Sequence, residues 1–350
     1  MNKPDRKQGL TYAESGVDIA AGDEAVQRIK TLARKTFNSQ VLSDIGAFGG
    51  LFKPELSGFE RPVLVASTDS VGTKLKIAFM TGIHNTVGED LVNHCVNDIL
   101  VQGARPLFFL DYIGIGHIKP KAMAELVSGV SRACYNTGTA LLGGETAELP
   151  DLYQPGEYDL AGFIVGIVDE SKIVDGSTIK PGDICLGLPS NGLHTNGYTM
   201  ARKVAFEIAN LKPDDRIDEL GSTIAEALMK IHRCYASVIH NLLEKHQIKG
   251  MAHITGGGIA GNLNRVLPDS CDAEIQKKSW PVLPIFKFLE KSGNIDPDDI
   301  YSAFNMGIGY IIVVEASKAD AIEADLNNMG EKVYRIGLIT EGTGVVRLIE

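Results

Sequence analysis

Apolar, strand-like runs alternate with amphipathic, helix-like segments in both halves of this 350-residue chain, and that alternation limits its fold more than any other feature. In the first half, short apolar runs predict strands at residues 62–66, 107–112, 140–142 and 158–168. Apolar residues at three- and four-residue steps predict helices at residues 90–102 and 120–136.

The second half repeats the alternation after a polar, glycine-containing segment, Asp169–Gly182, which predicts a domain boundary. Strands are expected at residues 184–188, 309–315 and 333–339, and helices at residues 222–246 and 318–329. The chain length suits two domains rather than one core. The sequence therefore predicts an α+β fold with two mixed α/β domains, residues 1–168 and residues 169–350.

Composition and charge exclude several classes of protein. No apolar run approaches the roughly 18 residues that a membrane span requires, and the first residues lead into no apolar block, so we expect a cytoplasmic protein that neither inserts into membranes nor carries a secretory signal. A net charge of -10 without a basic cluster predicts no nucleic-acid partner. The five widely spaced cysteines favour neither a disulfide framework nor a zinc cluster.

The segment from Ser67 to Lys74 is the most informative for chemistry, because it follows a predicted strand and leads into a probable helix. Such a turn presents free backbone amides to an anion, Asp69 can hold a divalent cation, and Lys74 can approach a phosphate. The alternative is an ordinary capped turn with a surface lysine. The segment is not a P-loop, because the required glycine spacing is missing.

Two further carboxylates occur at similar positions. Asp98 lies in a predicted helix close to a glycine-containing exit turn, and Glu145 follows Gly143 and Gly144 after an apolar strand. Single carboxylates in such places are usually helix caps or solvated charges. Three of them in glycine-framed segments favour a site where loops gather Asp69, Asp98 and Glu145 around Mg²⁺ and the phosphates of a nucleotide.

These segments occur in the order found in the phosphoribosylformylglycinamidine cyclo-ligases, which the chain resembles over essentially its whole length. The segments that carry the resemblance are residues 12–18, 67–74, 97–106, 107–112, 143–148, 192–198, 253–258 and 304–309. The resemblance implies an enzyme that uses ATP to activate the formyl oxygen of formylglycinamidine ribonucleotide. An amidine nitrogen then attacks, and the products are aminoimidazole ribonucleotide, ADP and phosphate, a step of purine biosynthesis.

The resemblance also implies an architecture. The N-terminal domain would bind ATP and dimerise, with its strands closing a β-barrel across the two-fold axis of a homodimer. The C-terminal domain would supply the substrate side. Closure of this kind would remove exposed sheet edges that otherwise invite uncontrolled pairing.

Residue roles follow from the same resemblance. The implied Mg²⁺ ligands are Asp69, Asp98 and Glu145, and the implied nucleotide contacts are Asp69, Ser70, Gly72, Thr73, Lys74 and Asn97. The implied substrate contacts are His194, Thr195, Asn196, Gly256, Gly257, Gly258 and Asn305. Lys74 and His194 are the catalytic candidates. Judged from the residues alone, one histidine is more often structural, and a glycine run is equally well a flexible turn.

The sequence departs from the family pattern at Ser70, His94, Asp151 and Asn264. Ser70 stands where glycine is usual, and His94 replaces an apolar residue. None of these changes removes an implied ligand. The alternatives that remain are another ATP-dependent kinase or synthetase of the same superfamily and a non-catalytic nucleotide-binding subunit.

Overall fold

The computed structural model describes residues 19–350, so residues 12–18 of the family resemblance lie outside the described part of the chain. The strands are β1 (Pro62–Ser70), β2 (Arg105–Ile115), β3 (Ala140–Glu148), β4 (Tyr158–Asp169), β5 (Ile184–Pro189), β6 (Arg216–Ile217), β7 (Ser222–Thr223), β8 (Gly250–His253), β9 (Cys271–Gln276), β10 (Ile308–Val314), β11 (Tyr334–Glu341) and β12 (Val346–Ile349). The helices are α1 (Ile19–Ala33), α2 (Leu75–Thr81), α3 (Asn85–Leu100), α4 (Pro120–Thr137), α5 (Tyr198–Arg202), α6 (Ile224–Leu228), α7 (Ala236–Lys245), α8 (Gly258–Leu263), α9 (Pro284–Gly293), α10 (Pro297–Ala303) and α11 (Ala316–Asn328).

The first sheet has four strands in the order β1-β4-β2-β3, with only β2 and β3 parallel. All four strands expected in this half of the chain are confirmed, and each extends further than its apolar run, because the polar ends also join the ladder. Helices α1, α3 and α4 pack together against one face of the sheet. This half-barrel is the scaffold for Asp69, Asp98 and Glu145.

No helix of the described residues covers the opposite face of this sheet, where side chains alternate outward with the pleat. Leu64 is 64% exposed and Phe163 is 44% exposed, and Phe108 and Leu110 lie on the same face by register with β4. An apolar sheet face of this size is unusual on a monomer surface.

The second sheet has six strands in the order β12-β9-β11-β5-β10-β8 and is antiparallel except for the β12–β9 pair. Strand β10, between β5 and β8, is buried at every position, and α7 and α11 contact one another. The expected strands and the expected α11 are confirmed within one to three residues at their ends. No helix among residues 19–350 is long and apolar enough to cross a membrane.

The single long helix expected at residues 222–246 is wrong, because the chain leaves the helical conformation between α6 and α7. Its backbone there bonds to side chains of α3 instead of to a following helical turn. The His232 amide donates to Asp90, Asn93 donates to the His232 carbonyl, and Asn97 bridges the Arg233 carbonyl and the Tyr235 amide. Helix periodicity in the sequence could not reveal these tertiary partners.

Candidate active site

A cleft of about 360 Å³ lies where the two domains meet, with walls from both sheets. The first domain contributes the end of β1 and the exposed side of α3, and the second contributes β8 with the turn that follows it. The polar side chains that line the cleft are Asp69, Asp98, His253, Thr255, Asn262 and Arg265. A site between domains is a common location for small-molecule chemistry.

Asp69 and Asp98 are brought together in this cleft, as the sequence predicts. Asp69 extends from β1 toward α3, and both carboxylates approach His94 Nε2, at 2.8 Å from Asp69 and 3.7 Å from Asp98. Burial by itself would raise the pKa of Asp69, but the adjacent His94 imidazole and the Ser70 amide lower that pKa below its usual value. Two carboxylates beside open space fit a divalent cation.

Glu145 does not join this pair within one chain. It pairs with Tyr112 on β2, whereas Asp69 lies on β1, so two strands separate them and the Cα atoms are about 14 Å apart at the usual strand spacing. Their side chains also leave opposite faces, because the register places Glu145 in the row of Ser70 and not in the row of Asp69. The expectation that loops gather three carboxylates is therefore corrected, because only Asp69 and Asp98 of one chain lie at the cleft.

Lys74 occupies a different position from the one expected. It is fully buried, and its ammonium group contacts the Asp90 carboxylate at 2.7 Å, the Lys230 carbonyl at 2.7 Å and the His194 carbonyl at 3.2 Å. Since all three ammonium protons have protein partners, none is left for a phosphate. Burial lowers the pKa of Lys74, and Asp90 opposes that change. The expected phosphate contact is replaced by a buried link between the domains.

Asn97 and Asn305 are likewise structural and not ligand contacts. Asn97 is fully buried on α3, and its side-chain amide hydrogen-bonds to the backbone of the segment between α6 and α7. Asn305 is 3% exposed; its oxygen accepts from Ser190 and from the Gly307 amide, and its nitrogen donates to the Gly192 carbonyl. Both expected roles are corrected, because the groups that would bind a ligand are already bonded within the protein.

His194 is buried behind the cleft instead of lining it. Its side chain is 1% exposed and stacks on His232 with ring centroids 4.1 Å apart. Burial lowers the pKa of His194 well below the ordinary histidine value, so the ring is neutral at physiological pH. The expected direct catalytic contact of His194 is therefore corrected, because its side chain lies behind the walls of the cleft.

The glycine turn at residues 256–258 lies between two residues that line the cleft, Thr255 and Asn262. Asn262 holds this turn by donating to the carbonyls of Thr255, Gly256 and Gly258. Thr195 does not line the cleft but is buried, with its hydroxyl near His94 and His232. Asn196 approaches Gly256, with its side-chain oxygen 3.4 Å from where a Cβ of residue 256 would lie. Gly258 has φ +62°, and a Cβ there would lie 1.8 Å from the Tyr301 carbonyl, so only glycine fits.

The rest of the Ser67–Lys74 segment is less loop-like than expected. Ser70 is the last residue of β1, and its amide donates to the Asp69 carboxylate at 2.6 Å. Gly72 has φ +65° and begins a short turn before α2, and the Thr73 hydroxyl lies 3.1 Å from that of Thr199 in the second domain. These residues hold the end of β1 in place beside the cleft.

Sequence reasoning missed a cluster of histidines beside the carboxylate pair. His94, His194, His232 and His253 pack with ring centroids 4.1 to 5.2 Å apart in successive contacts. His253 Nδ1 lies 2.9 Å from Asp98 Oδ1. The one-turn spacing of His94 and Asp98 on a helix could have signalled part of the cluster, but nothing near His232 in the sequence predicts its position.

Comparison with known proteins assigns the chain to a family. Models of AIR synthase related proteins match residues 59–168 as the N-terminal domain and residues 180–349 as the C-terminal domain. A phosphoribosylformylglycinamidine cyclo-ligase from Alkaliphilus oremlandii is 50% identical over 97% of this chain and 99% of that protein. The counterpart from Syntrophotalea carbinolica is 52% identical, covering 97% and 98%. The chain belongs to the phosphoribosylformylglycinamidine cyclo-ligase family. This family comprises ATP-dependent ligases of purine biosynthesis.

Solved structures of more distant proteins share the fold. Thiamine-monophosphate kinase from Stenotrophomonas maltophilia superposes with a TM-score of 0.66 at 16% identity, covering 93% of this chain and 95% of that one. The Escherichia coli hydrogenase maturation protein HypE superposes with a TM-score of 0.66 at 19% identity, covering 93% of each chain. At these identities the likeness concerns architecture alone, so the choice of a cyclo-ligase over a kinase of the same fold rests on the closer relatives.

Proposed function

We propose that this cyclo-ligase acts in the cleft between its domains, converting formylglycinamidine ribonucleotide and ATP to aminoimidazole ribonucleotide, ADP and phosphate. The observation that carries the proposal is the convergence of Asp69 and Asp98 from the first domain with Thr255, Asn262 and Arg265 from the second. One wall can hold a cation with its phosphates, and Arg265 on the other wall can pair with a second anionic group.

The carboxylate pair fits the Mg²⁺ that the family resemblance implies. Asp69 and Asp98 would hold the ion, which when bound neutralises charge on the triphosphate and so makes its terminal phosphoryl group easier to transfer. Thr255 and Asn262 fix the glycine turn, Asn196 lies beside it, and Arg265 adds a cation at the cleft wall. These residues bind and orient the ribonucleotide, and positioning of this kind supplies much of the rate in phosphoryl transfer.

Phosphate release from ATP tests the function. Wild-type protein should release phosphate only when formylglycinamidine ribonucleotide is present, and Asp98→Asn should reduce that rate at least about tenfold, a loss of roughly 1.4 kcal/mol of transition-state stabilisation. The circular dichroism spectrum of the variant should match wild type. Release at an equal rate without the ribonucleotide, or a silent Asp98→Asn substitution, would refute the assignment.

The proposal includes a homodimer whose interface is the uncovered face of the first sheet. Its support is the apolar face that includes Leu64, Phe108 and Phe163, together with the open edges of a half-barrel. Pairing two such sheets would bury this face and close the barrel.

Phe163→Glu should convert the dimer to a monomer, because it introduces a charge into the middle of the apolar face. Sedimentation should give about twice the chain mass for wild type and a single chain mass for the variant. Ile208→Glu is a matched control, since Ile208 is 53% exposed in the other domain and should leave the dimer intact. A wild-type monomer with full activity would remove the dimer from the proposal.

The dimer also gives Glu145 a role that its own chain does not offer. Glu145 is exposed on the same outward face as Phe163, and two strands separate it from Asp69. Within the proposed dimer, Glu145 serves the cleft of the partner subunit. Each complete site would then combine Asp69 and Asp98 of one subunit with Glu145 of the other.

A further inference from the structure

The buried histidines form a connected chain of contacts between the two carboxylates of the cleft. His94 Nδ1 lies 2.8 Å from the Thr195 hydroxyl, which lies 3.2 Å from His232 Nδ1. His232 Nε2 lies 2.9 Å from His253 Nε2, and His253 Nδ1 faces Asp98. With both ends of the chain at the cleft, the proton positions within it decide what His94 and His253 present to Asp69 and Asp98.

Asn97 fixes the proton positions at one end of this chain. Its side-chain oxygen accepts from the Tyr235 amide and its nitrogen donates to the Arg233 carbonyl, which sets the orientation of the amide group. The same nitrogen lies 3.2 Å from His232 Nε2, so that ring nitrogen must be an acceptor. The 2.9 Å contact between His232 and His253 is then donated by His253 Nε2–H.

A neutral His253 with its proton on Nε2 has a bare lone pair on Nδ1. That lone pair faces Asp98 Oδ1 at 2.9 Å, and two acceptors at this distance repel unless a cation lies between or beside them. A metal ion bound by both atoms would remove this repulsion, and His94, Asp98 and His253 lie close enough together to hold one.

His94 presents a second ring nitrogen to the same place. The ring is 3% exposed, and Nε2 has no hydrogen-bond partner among residues 19–350. Asp69 Oδ2 lies 2.8 Å away, so the two groups form an ion pair when the ring is protonated. Thr195 Oγ1 can accept from both His94 Nδ1 and His232 Nδ1, which leaves His94 Nε2 free to coordinate.

We propose that His94 Nε2, His253 Nδ1 and Asp98 form a three-ligand site for a divalent transition metal of the Mn²⁺, Co²⁺ or Zn²⁺ class, with the Asp69 carboxylate beside it. The inference builds on the cation-binding role of Asp69 and Asp98 in the proposed function. It adds that two imidazoles give this chain a preference for borderline metals over Mg²⁺, which favours oxygen ligands.

Distances and charge both fit such a site. Metal–ligand bonds of about 2.0–2.1 Å place neighbouring ligand atoms of a tetrahedron about 3.3 Å apart. His94 Nε2 lies 3.7 Å from one Asp98 oxygen, His253 Nδ1 lies 2.9 Å from the other, and the three ligand groups lie within 4.8 Å of one another. Two carboxylates neutralise the dication, and His232 orients His253 from behind, as an outer ligand does in many metal sites.

A second histidine group, His194, His232 and His253, also brings three ring nitrogens within 4.8 Å of one another. It is a weaker candidate. His194 and His232 are stacked with only 17° between their planes, so their lone pairs do not converge, and no carboxylate in the group balances a buried dication.

Co²⁺ titration of the metal-free, full-length protein tests the site. Wild type should develop the intense visible absorption of a four-coordinate Co²⁺ site with nitrogen ligands. His94→Gln, which can still bond to Thr195, should lower the affinity for Co²⁺ at least about 100-fold. His232→Gln should lower that affinity about 10- to 100-fold. Mg²⁺ affinity, measured by competition, should change less than about threefold in both variants, because oxygen ligands dominate its binding.

His240→Gln is the matched control, since His240 is a partly buried histidine bonded to the Ala104 carbonyl, outside the cluster. Wild-type protein labelled with ¹⁵N-histidine gives a measurement that does not depend on the folding of any variant. Zn²⁺ should shift the ¹⁵N resonances of His94 Nε2 and His253 Nδ1 and leave those of His240 unchanged. A proton on His253 Nδ1 in the metal-free protein, or Co²⁺ affinity indifferent to His94→Gln, would overturn the site. Cyclisation with Mg²⁺ would then still stand, because phosphate release measures it separately.

Discussion

Mixing inactive Asp98→Asn subunits with inactive Glu145→Gln subunits should restore about a quarter of wild-type turnover, if each site combines carboxylates from two chains. Random exchange makes half of the dimers mixed. In a mixed dimer, one site carries both defects, and the other has Asp98 from one chain and Glu145 from its partner. Each variant alone should turn over at least about tenfold more slowly than wild type, because a hard cation loses a charged ligand.

The control is a mixture of Asp98→Asn with Asp69→Asn subunits. Both residues belong to the cleft of one chain, so every site in that mixture keeps a defect and turnover should stay low. Subunit exchange is established separately by mass spectrometry of differently labelled chains. A Glu145 that acts within its own chain would leave the first mixture as inactive as the control.

Lys74→Met should lower the free energy of unfolding by about 3–5 kcal/mol, because it leaves the Asp90 carboxylate buried without its cation. Lys74 and Asp90 are both fully buried, and burial raises the pKa of Asp90, a change that the Lys74 ammonium opposes. The substitution also removes the bonds from Lys74 to the carbonyls of His194 and Lys230. Urea unfolding followed by circular dichroism measures the loss.

Lys76→Met is the matched control for this prediction. Lys76 lies two residues further along and pairs with Glu157 at 2.6 Å, but its side chain is 42% exposed. Exposed pairs contribute about 0–1 kcal/mol, so the control should stay close to wild type. Equal losses for both variants would show that the buried pair does not link the domains as described. Lys74→Met with Asp90→Leu should be more stable than Lys74→Met alone, since the uncompensated charge is removed.

The sequence predicts the scaffold better than it predicts the site. Strand β4 and helices α3 and α4 follow from apolar spacing, because burial against one core imposes that spacing wherever the chain runs. Asp69 and Asp98 could also be expected together, since the strand and the helix that carry them are neighbours in the first domain.

The positions of Lys74, Asn97 and His194 could not be predicted, because their partners come from the other half of the chain. Lys74 reaches the Lys230 carbonyl across 156 positions, and Asn97 reaches Arg233 across 136. A motif records which residues occur together in the chain, but it does not record whether a side chain points at a ligand or at a distant backbone. Glu145 shows the same limit, because its face of the sheet depends on strand register.

The bonds between α3 and the non-helical segment before α7 have a consequence for how the chain folds. The Asp90 carboxylate accepts a hydrogen bond from the His232 amide, which lies 142 residues later in the sequence. During synthesis, His232 therefore leaves the ribosome long after α3. Contacts of such long range form late, because closing a large loop costs chain entropy before any bond rewards it. We therefore expect the first domain to acquire its own shape while three polar side chains of α3 are still hydrated, and the cleft to become complete only when the second domain displaces that water.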